Sequence, residues 1–131
     1  MSIGILQTMV LAAFADGKLD PEEKILIKTY QSLYPPLQDI PKEELDEQMM
    51  NIAKKKALKV KDRHIIEDIG EKMSKPEKET AFALAAEICA SNFKFVPPEN
   101  DLLDFLQVNW DIKKNTANAV YKSLKLRYAS R

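Results

Sequence analysis

The sequence predicts an all-α fold, a single domain over residues 1–131 built from about seven helices. Three observations carry this. Apolar residues recur at helical spacing along the whole chain, and no stretch alternates as a half-buried strand would. Two tetrapeptides, Asp20-Pro21-Glu22-Glu23 and Ser74-Lys75-Pro76-Glu77, have the cap, proline and returning glutamate of a helix start. The chain also repeats itself: with Pro21 laid over Pro97, "AAFADGKLDPEE" falls on "ICASNFKFVPPE".

The elements follow in order. In residues 2–15, Ile3, Leu6, Val10 and Ala13 fall on one helical face. The stretch "LAAFADGKLDPEEKIL" admits two readings, an export signal cleaved near Ala15 or the joint between two helices. Export fails because residues 2–15 carry no Lys or Arg and the apolar run is too short. A second helix covers 21–33 and stops before Pro35-Pro36, which cannot continue it. A third runs from about Pro41 to Lys56 with Leu45, Met49 and Ile52 on one face. Its charges suit the helix dipole, with Glu43, Glu44, Asp46 and Glu47 early and Lys54, Lys55 and Lys56 late. A fourth, 62–73, buries Ile65, Ile66, Ile69 and Met73. The fifth, 75–90, contains "AFALAAEICA", apolar nearly all round, as in a helix surrounded by others. A sixth follows Pro97-Pro98 through Leu102, Leu103, Phe105 and Leu106, and a seventh after Asp111 carries Ile112, Val120 and Leu124.

Composition excludes several classes. Hydrophobic residues at 45% and charged residues at 31% describe an ordinary globular chain, and 20 basic residues balance 20 acidic ones. No overall field therefore favours nucleic acid, and no segment suits membrane insertion. A lone cysteine, Cys89, rules out an internal disulfide and fits a cytoplasmic, reducing setting. Three glycines leave no phosphate-cradling loop.

The repeat goes further than the two loops. Each copy sets a small-residue helix before its loop and an apolar helix after it, with Leu26 over Leu102 and Ile27 over Leu103. Ala12, Ala13, Ala85 and Ala86 permit close helix approach. The helices at 2–15 and 75–90 are therefore expected to cross near the centre, related by a pseudo-twofold.

An Ala-rich helix, then "ADGKLDPEE", then the echo "ASNFKFVPPEN" resembles the tellurite-resistance TerB-like family over roughly residues 5–110. The resemblance implies two helical halves of "ADG…E" type and a non-enzymatic role in stress response. It also implies protein partners, membrane-associated or in complexes. Its functional positions would be the loop acids and helix-start glutamates, here Asp16, Glu23 and Glu99. The second loop departs from the pattern, with Asn92-Phe93 in place of Asp-Gly.

Asp16, Asp20 and Glu23, joined by Asn92 and Glu99 if the loops face one another, form a candidate site for a divalent cation. All-oxygen ligands suit calcium, magnesium or manganese. The competing reading is structural: Gly17 turns the chain, and Asp20 and Glu23 cap the next helix. A metal-dependent enzyme using these acids is the alternative function, but no catalytic residue is assigned. His64 has no second His or nucleophile nearby in sequence, and Cys89 lies in an apolar run and is expected to be an inert core residue. "KKKALKVKDR" (54–63) holds six basic residues in ten and could meet RNA or anionic lipid. It lacks interleaved aromatics, and a helix end with a solvated linker explains it as well. Trp110, Tyr121 and Tyr128 are expected to anchor packing.

Overall fold

The computed structural model describes residues 3–14, 21–91 and 97–128, with the side chains of 23, 36, 91, 97–101 and 128 outside that description. Eight helical segments lie among the described residues, and none of those residues is in a strand. They are α1 (Ile3–Ala13), α2 (Pro21–Leu33), α3 (Pro35–Gln38), α4 (Glu43–Ala57), α5 (Asp62–Glu71), α6 (Lys75–Ser91), α7 (Pro97–Asn109) and α8 (Lys114–Tyr128). The sequence reading lacked only α3. A four-residue turn is too short to show periodicity, and Pro35, which stops α2, itself starts α3.

Helix α1 is the centre of the molecule. Its widest contact is with α6, and α2, α3, α4 and α5 also pack on it. The single apolar face read from Ile3, Leu6, Val10 and Ala13 therefore understates its burial. Gly4, Ile5, Thr8, Met9, Leu11 and Ala12 are buried as well, while Ile3 is only half-buried. Helix α6 is enclosed in the same way: Ala81, Phe82, Ala85, Ala86, Ile88, Cys89 and Ala90 are all buried. Alanines in the α1 and α6 cores leave room for the axes to approach. The buried residues of both helices belong to one hydrophobic cluster that reaches Ile27, Ile52, Ile66, Leu103 and Leu124.

The helix boundaries bear out the repeat. Helices α2 and α7 each start on a proline, each run 13 residues, and coincide end to end when Pro21 is laid over Pro97. Contacts match as well: α4 packs on α1 as α8 packs on α6. Helix α5 lies outside this correspondence and joins the halves, touching α1 and α7.

Three local devices fix the ends. Ser74 and Glu77 close the expected capping box, the Ser74 amide donating to Glu77 Oε1 at 3.1 Å and the Glu77 amide to Ser74 Oγ at 3.3 Å. Helix α4 ends in a Schellman turn with Lys59 left-handed at φ 59; the Lys59 amide donates to Lys56 O and the Val60 amide to Lys55 O, both at 3.0 Å. Helix α7 ends the same way at Asp111, φ 53, which tucks Ile112 into the core. Glycine appears where helices must come close. A Cβ on Gly70 would stand 2.5 Å from Trp110 Nε1, and one on Gly4 would stand 2.7 Å from Met73 Cγ. Trp110 is buried, its indole N–H donating to Ile66 O at 3.2 Å, which makes it the packing anchor the sequence suggests.

Candidate functional site: the groove between α6 and α8

A groove of about 480 Å³ opens between α6 and α8. Thr80, Ala83, Leu84 and Glu87 supply one wall, spaced by three and four along α6 so that all face the same way. Ala119, Val120, Ser123 and Arg127 supply the other by the same rule on α8. Tyr34 closes the remaining side. Its position follows from its neighbour: Pro35 disfavours helical backbone in the residue before it, and Tyr34 is extended at φ −90, ψ 124. The Tyr34 ring stacks at a tilt on Tyr30, centroids 5.0 Å apart.

The groove combines Ala83, Leu84, Ala119 and Val120 with the Tyr34 ring and the hydroxyls of Thr80 and Ser123, and its charged residues, Glu87 and Arg127, form an ion pair. Glu87 is 4% exposed, the one charged residue within the apolar run of α6, and Arg127 Nη1 donates to its Oε1 at 2.6 Å. A carboxylate taken out of water must be held by hydrogen bonds or an opposite charge. The Arg127 side chain is 51% exposed, so its guanidinium is anchored from within while facing solvent. At the position matching Glu87 the first half has Leu11, fully buried. The α1–α4 seam is tied by neutral amides instead, Gln7 Nε2 donating to Gln48 Oε1 at 2.9 Å.

Beside the groove, Tyr121 packs edge-on to Phe82 with centroids 6.0 Å apart. Burial, then the charge of Asp104, then Cys89 push its phenol above the usual 10.0. Cys89 itself is buried, in keeping with a core residue. A second hollow of about 460 Å³ is rimmed by Lys28, Lys42, Glu43 and Asp46, with buried Gln31 donating to Pro41 O at 3.1 Å. Its rim charges cancel, so it offers no field to a charged ligand.

Asp16, Asp20 and Asn92 of the candidate cation site lie outside the described residues, as do the side chains of Glu23 and Glu99, whose backbones belong to α2 and α7. Among the described residues no three His, Cys, Asp or Glu side chains converge as metal ligands. His64 is exposed on α5. The basic run 54–63 is the end of α4 and the turn into α5, where Lys56 Nζ meets Asp62 Oδ1 at 2.8 Å. No described helix is long and apolar enough to cross a membrane.

Sequence reasoning missed Glu87 and Arg127, which stand 40 residues apart. The available signal was the lone acid in "AFALAAEICA", since a charge inside an enclosed helix requires a partner. No family model, curated protein or solved structure matches the chain.

Proposed function

We propose that the chain is a non-enzymatic interaction module of the TerB-like kind, acting in a cytoplasmic tellurite-resistance or stress response, with the α6–α8 groove as its contact surface. One observation carries the groove assignment. A mainly apolar bed ends in a guanidinium that bonds a buried carboxylate, the combination of apolar surface and held polar anchor found where proteins take up ligands. The TerB-like assignment rests on the sequence motifs alone. They also supply the cation element of the proposal, calcium, magnesium or manganese at the "ADGKLDPEE" joint, which would tune partner binding.

Ala119→Trp fills the groove from an exposed position of α8 and tests the assignment. Partners retained by the wild-type chain from cell extract should be lost with the variant at unchanged melting temperature. Retention of the same partners by both would end the groove reading. Melting in millimolar calcium, magnesium or manganese tests the cation element separately, since a bound ion stabilises the folded state that holds it. An unmoved melting temperature would remove the ion and leave the groove.

A further inference from the structure

We infer that the corner between α4 and α5 is a docking surface for a bilayer with anionic headgroups, a site apart from the α6–α8 groove and independent of it. Charge complementarity is the first reason. Residues 54–63 hold Lys54, Lys55, Lys56, Lys59, Lys61 and Arg63 against one acid, Asp62, in a chain whose net charge is +0. Two of these cations are paired, Lys56 with Asp62 at 2.8 Å and Arg63 with Glu67 at 3.8 Å. Lys54, Lys55, Lys59 and Lys61 have no ion pair among the described residues, and Lys54, Lys59 and Lys61 are exposed. A cluster of about 4–8 basic residues on or beside a helix is what the negative potential of an anionic membrane attracts.

An exposed leucine in the middle of this charge is the second reason. Leu58 ends α4 and is 70% exposed, while Val60, two residues on, packs back against the core. The Schellman turn makes that division: Lys59 is left-handed, the Val60 amide returns to Lys55 O at 3.0 Å, and Leu58 stays outward beside Lys54 and Ala57. A protruding apolar side chain among lysines suits a surface that yields to it. The leucine enters the boundary between headgroups and acyl chains, and the ammonium groups remain at headgroup level. A nucleic-acid backbone would use the lysines and leave Leu58 in water, and residues 54–63 contain no aromatic side chain to stack on a base.

The rest of α4 sets the orientation. Its acids, Glu43, Glu44, Asp46 and Glu47, all lie toward its start, and Glu47, the last of them, stands about 16 Å back from Leu58 along the axis. Charges separated by more than about 8 Å are largely screened at physiological salt. The helix therefore meets the membrane with its C-terminal end and keeps its acids away. On the α5 side, Asp62 and Glu67 are taken up in the two ion pairs.

Co-sedimentation of the full chain with vesicles tests the docking surface. The chain should bind vesicles of phosphatidylcholine mixed with phosphatidylglycerol, should not bind phosphatidylcholine alone, and should be released as salt rises. Lys54→Gln/Lys61→Gln, at exposed unpaired sites, should weaken binding about tenfold or more. Leu58→Gln should weaken it about fivefold at unchanged melting temperature. Lys114→Gln/Lys122→Gln makes the same change in net charge at exposed sites on α8 and should leave binding as it was, as should Ala119→Trp in the groove. No sedimentation with the mixed vesicles, equal binding to the neutral ones, indifference to Leu58→Gln, or a loss that the α8 pair reproduces overturns the proposal. Saturable RNA binding that Lys54→Gln/Lys61→Gln abolishes, with no vesicle binding, overturns it in favour of a phosphate polymer.

Discussion

Arg127 Nη1 stands 2.6 Å from Glu87 Oε1, joining α8 to the most enclosed acid among the described residues. The two partners are unequal: the carboxylate side chain is 5% exposed and the guanidinium side chain 51%. Losing one is not equivalent to losing the other. Arg127→Ala removes a charged hydrogen-bond partner from a buried carboxylate and should cost about 2 kcal/mol. Glu87→Leu puts an apolar side chain where the matching position has Leu11, leaves Arg127 able to turn to water, and should cost less than about 1 kcal/mol. Urea unfolding of the two variants checks the order, and equal losses would contradict it.

Gly70 is fixed by Trp110. An added methyl would meet the indole at 2.5 Å, and the indole is pinned by its bond to Ile66 O. Gly70→Ala should destabilise by about 1–3 kcal/mol as overpacking does, despite alanine's better helix propensity. Trp110 is the only tryptophan, so its fluorescence reports the same event, and a red shift in the folded variant is expected.

Lys59 occupies a left-handed position that glycine fills without strain. Lys59→Gly should stabilise by about 0.5–1 kcal/mol, the relief at the turn less the added freedom of the unfolded chain. Asp111→Gly should gain less, because aspartate tolerates that backbone better than lysine does. Thermal melts of both variants give the comparison.

Tyr121 makes alkaline stability a readout of its surroundings. Its folded-state pKa is raised above 10.0 by burial first, then by Asp104 and Cys89. The unfolded chain therefore loses that proton first as pH rises. The stability that Tyr121 contributes is complete below pH 10.0 and is lost as pH climbs through the folded-state value. Tyr121→Phe should flatten the alkaline decline, and Asp104→Asn should lower the tyrosinate midpoint in an absorbance titration.

Ser74→Ala removes one hydrogen bond of the capping box and should cost about 1 kcal/mol. Ser74→Asp, which keeps an acceptor there, should restore most of it.

The frame was legible because prolines and caps punctuate it. Pro21, Pro97 and Ser74-Glu77 each fall where a helix starts, and Ile65, Ile66, Ile69 and Met73 are buried as their spacing requires. What escaped was whatever depends on distant neighbours. The full enclosure of α1 could not be read from its own residues, because α6, α4 and α5 together cover it. The Glu87–Arg127 pair escaped for a related reason: hydropathy absorbed the glutamate into an apolar run, and nothing local points across 40 residues to an arginine. The acids singled out first, Asp16, Asp20 and Glu23, drew notice through short-range motif spacing, which capping and cation binding share.

The sheathing of α1 on every side has a consequence for biogenesis. A nascent chain presents this greasy rod before the surface that covers it most widely, since α6 is made only after four intervening helices. Until then the segment waits in water with its main partner unsynthesised, an invitation to aggregation or to a chaperone's grip. Assembly is thus governed by a rendezvous between remote segments, a slower route than the helical content of the molecule would suggest.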